Sequence, residues 1–154
     1  MNIFTRKELS LLIATLVLLG LTMGGCATSI KYLYDTKTSF PEQKSYAWAP
    51  SWGVYRQDPL LETNVRALAD QFLGQKGFTK MPEKPDLLIA INYESDIGYS
   101  QYGYQLRMLT LNIYRPDQKE LVWRGTASGT IHTDAASGDL KQAVQGILAN
   151  FPPK

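Results

Sequence analysis

The sequence predicts one α/β domain of the α+β kind, a two-layer sandwich with two helices on one face of the sheet. Helical patterns at residues 58–77 and 139–151 flank three stretches in which apolar residues alternate with polar ones. The predicted order is strand, helix, three strands, helix. Since a strand–helix–strand crossover favours parallel pairing and short connections favour hairpins, we expect a mixed, mostly antiparallel sheet of four to five strands.

The first two predicted strands are short. Residues 30–34 alternate and predict an initial strand, which ends before Phe40 and Pro41. Residues 45–49 predict a second strand with Tyr46 and Trp48 on one face, closed by Pro50.

The first helix has clear signals at both ends. Asp58 followed by Pro59 is a typical N-cap and first-turn pair, and Gly77 is a typical stop. Between them, apolar residues recur at helical spacing and predict a buried stripe: Leu61, Val65, Leu68, Ala69, Phe72 and Leu73.

Three longer strands follow. Residues 86–93 are apolar on both faces, which predicts a central strand, and residues 104–115 alternate well before a turn at 116–118. Residues 120–132 predict the last strand. Its core face is expected to hold four residues: Leu121, Trp123, Gly125 and Ala127.

The final helix begins at about Asp139 and ends at Pro152 and Pro153. Its apolar stripe is predicted to face the same core: Leu140, Val144, Ile147, Leu148 and Phe151.

Residues 1–25 have the organisation of a secretory signal peptide. Arg6 and Lys7 precede an apolar run from Leu9 to Met23. Those fifteen residues make a helix of about 22 Å, shorter than the ~30 Å hydrocarbon core of a bilayer. Cleavage is predicted before Cys26.

The segment Met23-Gly24-Gly25-Cys26 resembles the bacterial lipobox, except that Met23 stands where that motif usually has Leu. The resemblance implies lipidation of Cys26, which holds a protein durably at a membrane when two or more acyl chains are attached. Two alternatives are an uncleaved membrane helix and cleavage elsewhere with a free thiol. Because Ala27 is not the Asp that usually retains lipoproteins in the inner membrane, the resemblance implies the periplasmic side of the outer membrane.

Residues 26–154 are expected to form one envelope domain, with 26–30 as a short tether. They carry fourteen Lys and Arg against thirteen Asp and Glu. So small an excess argues against a nucleic-acid partner, which normally requires a clustered basic face. Cys26 is the sole cysteine, so the chain forms no internal disulfide.

The residues suited to catalysis are few. His132 is the sole histidine, and Ser128 and Asp134 lie near it in sequence. Ser128 and His132, however, are about 13 Å apart along an extended strand, too far for proton transfer. Glu94 and Asp96 are interpreted as a solvated strand end. We therefore expect no catalytic, metal or cofactor site.

The stretch from Gly98 to Tyr104 is the most suggestive feature outside the core, and it is predicted to be a loop. Tyr99, Tyr102 and Tyr104 are candidate partner-binding residues, because tyrosine offers both a stacking ring and a hydroxyl. The structural alternative is an ordinary hairpin with tyrosines packed across its strands.

Several segments together resemble bacterial lipoproteins of the domain of unknown function 4136 family, over essentially the whole mature chain. The resemblance implies a lipid-anchored α/β envelope protein and transfers no catalytic residue. The matching segments are FPEQKSYAWAP (40–50), KGF (76–78), PDLLI (85–89), LVWRG (121–125) and ILANFPP (147–153).

Two function classes remain. The favoured one is a lipid-anchored, non-catalytic binding or structural module of the envelope, with an envelope protein or glycan as partner. The other is an envelope hydrolase acting on peptidoglycan or lipid, which would require His132 and a carboxylate to meet in a deep cleft.

Overall fold

The structure, a computed structural model, describes residues 28–50, 58–100, 103–117, 119–134 and 137–153, with the side chains of 96–100 and 103–104 left out. The predicted leader and Cys26 lie outside these ranges. The described helices and strands are β1 (Ser29–Tyr34), β2 (Ser45–Trp48), α1 (Pro59–Gln75), β3 (Thr79–Lys80), β4 (Leu87–Ser100), β5 (Gly103–Arg115), β6 (Glu120–His132) and α2 (Asp139–Ala149).

The strands form one sheet in the order β1-β6-β5-β4-β2-β3. The pairs β1–β6, β6–β5 and β5–β4 are antiparallel, whereas β2 pairs parallel with both β4 and β3. The predicted mixed, mostly antiparallel sheet is therefore confirmed, and β4 is central as expected. The described residues form six strands where four to five were predicted, because β3 has only two residues and gives no sequence pattern.

Helix α1 begins and ends as its sequence predicts. The Asp58 carboxylate accepts hydrogen bonds from the backbone N–H groups of Leu60 and Leu61, at 2.9 and 3.0 Å. At the other end Gly77 adopts a φ of +85°, and the N–H of Phe78 reaches back to the carbonyl of Leu73. This is a Schellman ending, which requires the left-handed conformation that glycine adopts without steric cost.

Both helices pack on one face of the sheet. The predicted stripe of α2 is buried, and Ile147 lies against Gly125 of β6. Phe151, just after α2, is the centre of an aromatic cluster whose ring centroids lie 5.2 Å from Trp123, 5.3 Å from Phe78 and 5.8 Å from Phe40. Four of the five segments that carry the family resemblance each contribute one of these rings, so those segments meet in the core.

The predicted core face of β6 is correct from Trp123 onward and wrong at Leu121. A register shift separates the pair Ile113–Trp123 from the pair Tyr114–Leu121, so Val122 is an additional residue in β6. Val122 is consequently fully buried and Leu121 only partly so. A bulge reverses the alternation that follows it, which is why the period of two fails at this point.

Candidate functional site

His132 lies at the end of β6, where it meets the first turn of α2. Its Nδ1 is 2.6 Å from Oδ2 of Asp139, and its Nε2 is 3.0 Å from the side-chain nitrogen of Gln105. The amide nitrogen of Gln105 only donates, so Nε2 of His132 accepts this hydrogen bond, and the N–H at Nδ1 donates a hydrogen bond to Asp139. Both ring nitrogens are engaged, and neither is available as a general base in this arrangement.

Ser128, His132 and Asp134, considered above as residues suited to catalysis, do not come together as a triad. Ser128 pairs with Met108 in the sheet, whereas His132 pairs with Gln105, further along the same strands. Asp134 accepts a hydrogen bond from the backbone N–H of Ser137 in the β6–α2 connection. The carboxylate that reaches His132 is Asp139, a helix residue whose proximity the sequence pattern did not indicate.

Glu94 and Asp96 also have separate surroundings. Glu94 lies 3.9 Å from Arg107 in an ion pair whose side chains are both more than half exposed. Asp96 belongs to β4, and its side chain is outside the described part of the chain. Glu94 is solvated as predicted, but the predicted strand end is wrong, because β4 continues through Glu94 and Asp96 to Ser100.

The tyrosine segment is a hairpin end and not a loop. β4 continues to Ser100 and β5 starts at Gly103, and Tyr99 stands directly opposite Tyr104 in the antiparallel register. The prediction of a loop from Gly98 to Tyr104 is therefore wrong for residues 98–100 and 103–104. Tyr102 lies outside the described residues. Long-range strand pairing extends these glycine-containing ends further than local propensity indicates.

The sheet face opposite the helices holds an ordered polar network across three strands. Arg124 Nε donates to Oδ1 of Asn112 at 2.7 Å, and Nδ2 of Asn112 donates to Oδ1 of Asn92 at 2.7 Å. Asn112 is only 5% exposed, whereas Arg124 and Asn92 are exposed. Because a guanidinium only donates, the Asn112 amide turns its oxygen toward Arg124 and its nitrogen toward the oxygen of Asn92.

This network leaves donors at its surface. The bonds to Asn112 use Nε of Arg124 and Oδ1 of Asn92, so the Nη groups of Arg124 and the amide nitrogen of Asn92 are further donors on these two exposed side chains, and oxygen-rich molecules supply acceptors for such donors. Alternation along β6 places Arg124 on the face opposite Trp123 but does not indicate its partner. Only the cross-strand register, which pairs Arg124 with Asn112, identifies the amide as its partner.

A second polar cluster, missed at the sequence level, joins β2 to α1. Oδ1 of Asp70 accepts from the Tyr46 hydroxyl and the Trp48 indole nitrogen, both at 2.8 Å, and Oδ2 lies 2.8 Å from Nζ of Lys80. Burial and the bond to Asp70 raise the pKa of Tyr46 well above its usual range. Trp48, predicted on the same strand face as Tyr46, is only partly buried, and the Arg66 guanidinium lies 5.4 Å from its ring centroid.

Within the described ranges, no helix is long and apolar enough to cross a bilayer. Comparison with protein families gives one match, a model described as "Domain of unknown function (DUF4136)", which covers residues 30–153. A comparison with curated protein sequences returned no match.

Solved structures share the fold at low identity. A DUF4136 family protein from Bacteroides thetaiotaomicron is 12% identical, with a TM-score of 0.57 over 80% of this chain and 94% of its own. The PelC dodecamer from Paraburkholderia phytofirmans is 12% identical, with a TM-score of 0.58 over 80% and 96%. A PDZ domain protein from Parabacteroides distasonis is 16% identical, with a TM-score of 0.61 over 96% of this chain and 40% of its own.

Proposed function

Because this chain belongs to the DUF4136 family, we propose that it is a lipid-anchored protein of the bacterial cell envelope. Its role is to bind or support an envelope partner, and it catalyses no reaction. The observation that carries the proposal is the place of Cys26, directly after a signal-peptide pattern and three residues before the first strand of the domain.

The short connection defines how the domain would be held. From Cys26 to Ser29 an extended chain spans at most about 11 Å. Acyl chains on Cys26 would therefore keep Ser29, the start of the domain, within about 11 Å of the bilayer surface. Ala27 beside the cysteine supports the periplasmic side of the outer membrane as the location.

The non-catalytic part of the proposal is supported by the surroundings of His132. Its two nitrogens are engaged by Asp139 and Gln105, and the Ser137 hydroxyl bonds to the backbone carbonyls of His132 and Asp134. The hydroxyl and the imidazole therefore have structural partners in the connection between β6 and α2. These contacts support a structural role, in which the end of β6 is held against the start of α2.

The binding part of the proposal is supported by the polar sheet face. Arg124 is held at Nε by a buried amide, so its remaining N–H groups lose little conformational entropy when they bind an acceptor. An envelope glycan or protein with several oxygen atoms side by side could accept hydrogen bonds from Arg124 on β6 and Asn92 on β4. Nucleic acid is not expected, since the charge of residues 26–154 is nearly balanced.

The anchor is tested by intact mass and fractionation of protein expressed with its leader. We expect the mature chain to begin at Cys26 with attached acyl chains and to sediment with outer membranes. Cys26→Ser should abolish acylation and release the protein into the soluble fraction. A wild-type chain that starts elsewhere and carries no lipid would refute the proposal.

The alternative, a hydrolase, is tested on purified protein with peptidoglycan sacculi and with phospholipid vesicles. We expect neither soluble muropeptides nor free fatty acids. Product release that His132→Ala removes would establish the hydrolase instead.

A structural assembly role is a second candidate, favoured by the likeness to PelC, which was solved as a dodecamer. The edge strand β1 exposes Tyr32 by 50% and Leu33 by 73%, more than most large apolar residues. Light scattering of the lipid-free domain tests self-association. If the domain is monomeric at all concentrations, the assembly role is excluded and the binding role remains.

A further inference from the structure

We infer that the open face of the sheet, the face opposite the helices, binds an acidic polysaccharide whose carboxylates contact Lys31 and Arg124. The inference rests on the binding part of the proposed function and names the class of partner, a glycan that carries carboxylate groups. It also adds Lys31 of β1 to the residues that make the contact.

Lys31 and Arg124 lie on the open face, on neighbouring strands. In β1 the Ile30 side chain packs against α2, so the next residue, Lys31, faces the other way. In β6 Trp123 is fully buried on the helix side, so Arg124 likewise faces away from the helices. Lys31 stands opposite Thr126, which is two residues from Arg124. The Cβ atoms of the two cations are therefore about 7 Å apart.

The two cations are not neutralised by carboxylates of the domain. Among the residues that the structure describes, Lys31 makes no ion pair and Arg124 hydrogen-bonds only to Asn112, a neutral amide. Glu94, also on this face, already lies 3.9 Å from Arg107. It belongs to β4, three strand spacings or about 14 Å from β1. The β1–β6 side of the face thus carries two positive charges that attract an anion.

A row of polar side chains crosses the open face beside Arg124. It consists of residues that stand directly opposite one another on four strands: Lys31, Thr126, Thr110 and Asn92. The two threonine hydroxyls lie 3.0 Å apart, and Asn92 accepts a hydrogen bond from a buried amide. Hydroxyl and amide groups both donate and accept, as the hydroxyls of sugars do. At about 14 Å the row is longer than one sugar ring, so it suits a chain of sugars.

The chemistry of this row favours a glycan over a protein partner. The centres of protein interfaces are mostly apolar and poor in charge. The centre of the open face instead holds Thr110 and Asn112, each 5% exposed, with the exposed side chains of Arg124 and Asn92 beside them. Leu33, an exposed apolar residue of this face, lies on the edge strand. We therefore expect an acidic peptide to bind more weakly than an acidic glycan.

The assignment of the anion as a carboxylate follows from the geometry of Arg124. Its Nε donates to Asn112 at 2.7 Å, which restrains the guanidinium and leaves both Nη groups for a ligand. Two N–H groups side by side match the two oxygens of a carboxylate. Uronic acids combine such a carboxylate with ring hydroxyls that match the threonine and asparagine side chains.

The test is an NMR titration of the mature protein, expressed with its leader and purified in detergent. The ligands are galacturonate oligosaccharides and, as the neutral control, galactose oligosaccharides of the same length. We expect saturable shifts of the Arg124 Nε–H and of the backbone amides of Lys31 and Thr126. The acidic sugar should bind at least about tenfold more tightly than the neutral one. Binding should weaken at about 1 M salt, where the Debye length is about 3 Å.

Three variants connect the binding to the two cations. Arg124→Ala should weaken binding of galacturonate about tenfold and Lys31→Ala about threefold. Lys141→Ala is the matched control, because Lys141 is an exposed cation on α2, and it should leave the affinity unchanged. Since Lys31 makes no ion pair with the described residues, its variant keeps the test valid even if Arg124→Ala does not fold.

The possible outcomes separate the inference from the proposed anchor. Equal affinity for acidic and neutral oligosaccharides, or shifts confined to other surfaces, would overturn the inference, and an acylated Cys26 in the same sample would leave the anchor intact. Tighter binding of a poly-glutamate peptide would assign the face to a protein, and tighter binding of inorganic phosphate than of galacturonate would overturn the carboxylate. Protein without lipid that still binds galacturonate through Lys31 and Arg124 would refute the anchor and support the inference.

Discussion

Gly125 and Trp123, two residues apart on β6, are packed so closely that a Cβ on Gly125 would overlap the indole of Trp123. The same Cβ would lie 2.7 Å from a methyl carbon of Ile147 on α2. The absent side chain at position 125 is therefore what allows the last helix and the indole ring to occupy one layer of the core.

Gly125→Ala should destabilise the domain by about 1–3 kcal/mol, because a methyl group at this position overpacks a closed core. The matched control is Gly74→Ala in α1, where a Cβ meets nothing within 4 Å. There alanine should stabilise by about 0.5–1 kcal/mol through its better helix propensity. Urea unfolding of both variants measures the contrast. Two equal changes would show that space at Gly125 is unimportant.

Trp123→Ala should cost ~3–5 kcal/mol, since Trp123 is fully buried and central to the aromatic cluster. Trp123→Phe should cost less than half as much. Phenylalanine keeps a ring against Phe151, and it removes an indole N–H that has no hydrogen-bond partner among the described residues. Thermal unfolding is the measurement, and an unchanged melting temperature in Trp123→Ala would contradict a core role.

Asn112→Ala should destabilise by about 1–3 kcal/mol, because it leaves Arg124 Nε and Asn92 Oδ1 without their shared partner. Asn92→Ala should also destabilise, because it leaves Nδ2 of the nearly buried Asn112 without its acceptor. A double-mutant cycle with Arg124→Ala and Asn112→Ala tests whether the two side chains are coupled. Strict additivity would mean that the network does not hold the guanidinium.

Stability should fall on the acid side partly through Asp86. Hydrogen bonds from the Ser45 hydroxyl, and then from the backbone N–H groups of Lys44 and Ser45, lower the pKa of the Asp86 carboxyl. A lowered folded-state pKa contributes stability that is present above the unfolded value of about 3.9 and is lost as pH falls through the folded value.

Asp86→Asn should therefore destabilise the domain more at pH 7 than at pH 2–3. The difference in free energy of unfolding between wild type and variant should become smaller as the pH falls from 7 to 2. Asp35, whose pKa is lowered by the Lys37 backbone and the Thr38 hydroxyl, keeps some acid sensitivity in the variant. Asp117→Asn, which removes one carboxylate from an exposed turn, is the matched control. A constant difference between pH 2 and 7 would remove Asp86 from the account of acid unfolding.

Much of the fold was predictable because its signals are local. The Asp58 cap, the Gly77 stop, the bounds of β6 and the buried stripe of α2 follow from side-chain periodicity and from end residues with known backbone preferences. The aromatic rings at Trp123 and Phe151 were expected in the core and are there.

The candidate site was less predictable, because its contacts join residues distant in the chain. Arg124 meets Asn112, His132 meets Asp139, and Tyr46 and Trp48 meet Asp70. Periodicity assigns a residue to a face but does not say which residue on the neighbouring strand stands beside it. Such partners depend on register.

The sequence alone determined both helices, five of the six described strands and the resemblance of residues 23–26 to a lipobox, since each depends on the residue types within a short window. Only the tertiary structure decided that β1 pairs with β6, that a bulge turns Val122 into the core, and that Tyr99 stands opposite Tyr104 in the β4–β5 hairpin. The physical reason is that strand pairing is a competition among distant segments for the same backbone hydrogen bonds, and no local pattern records its outcome.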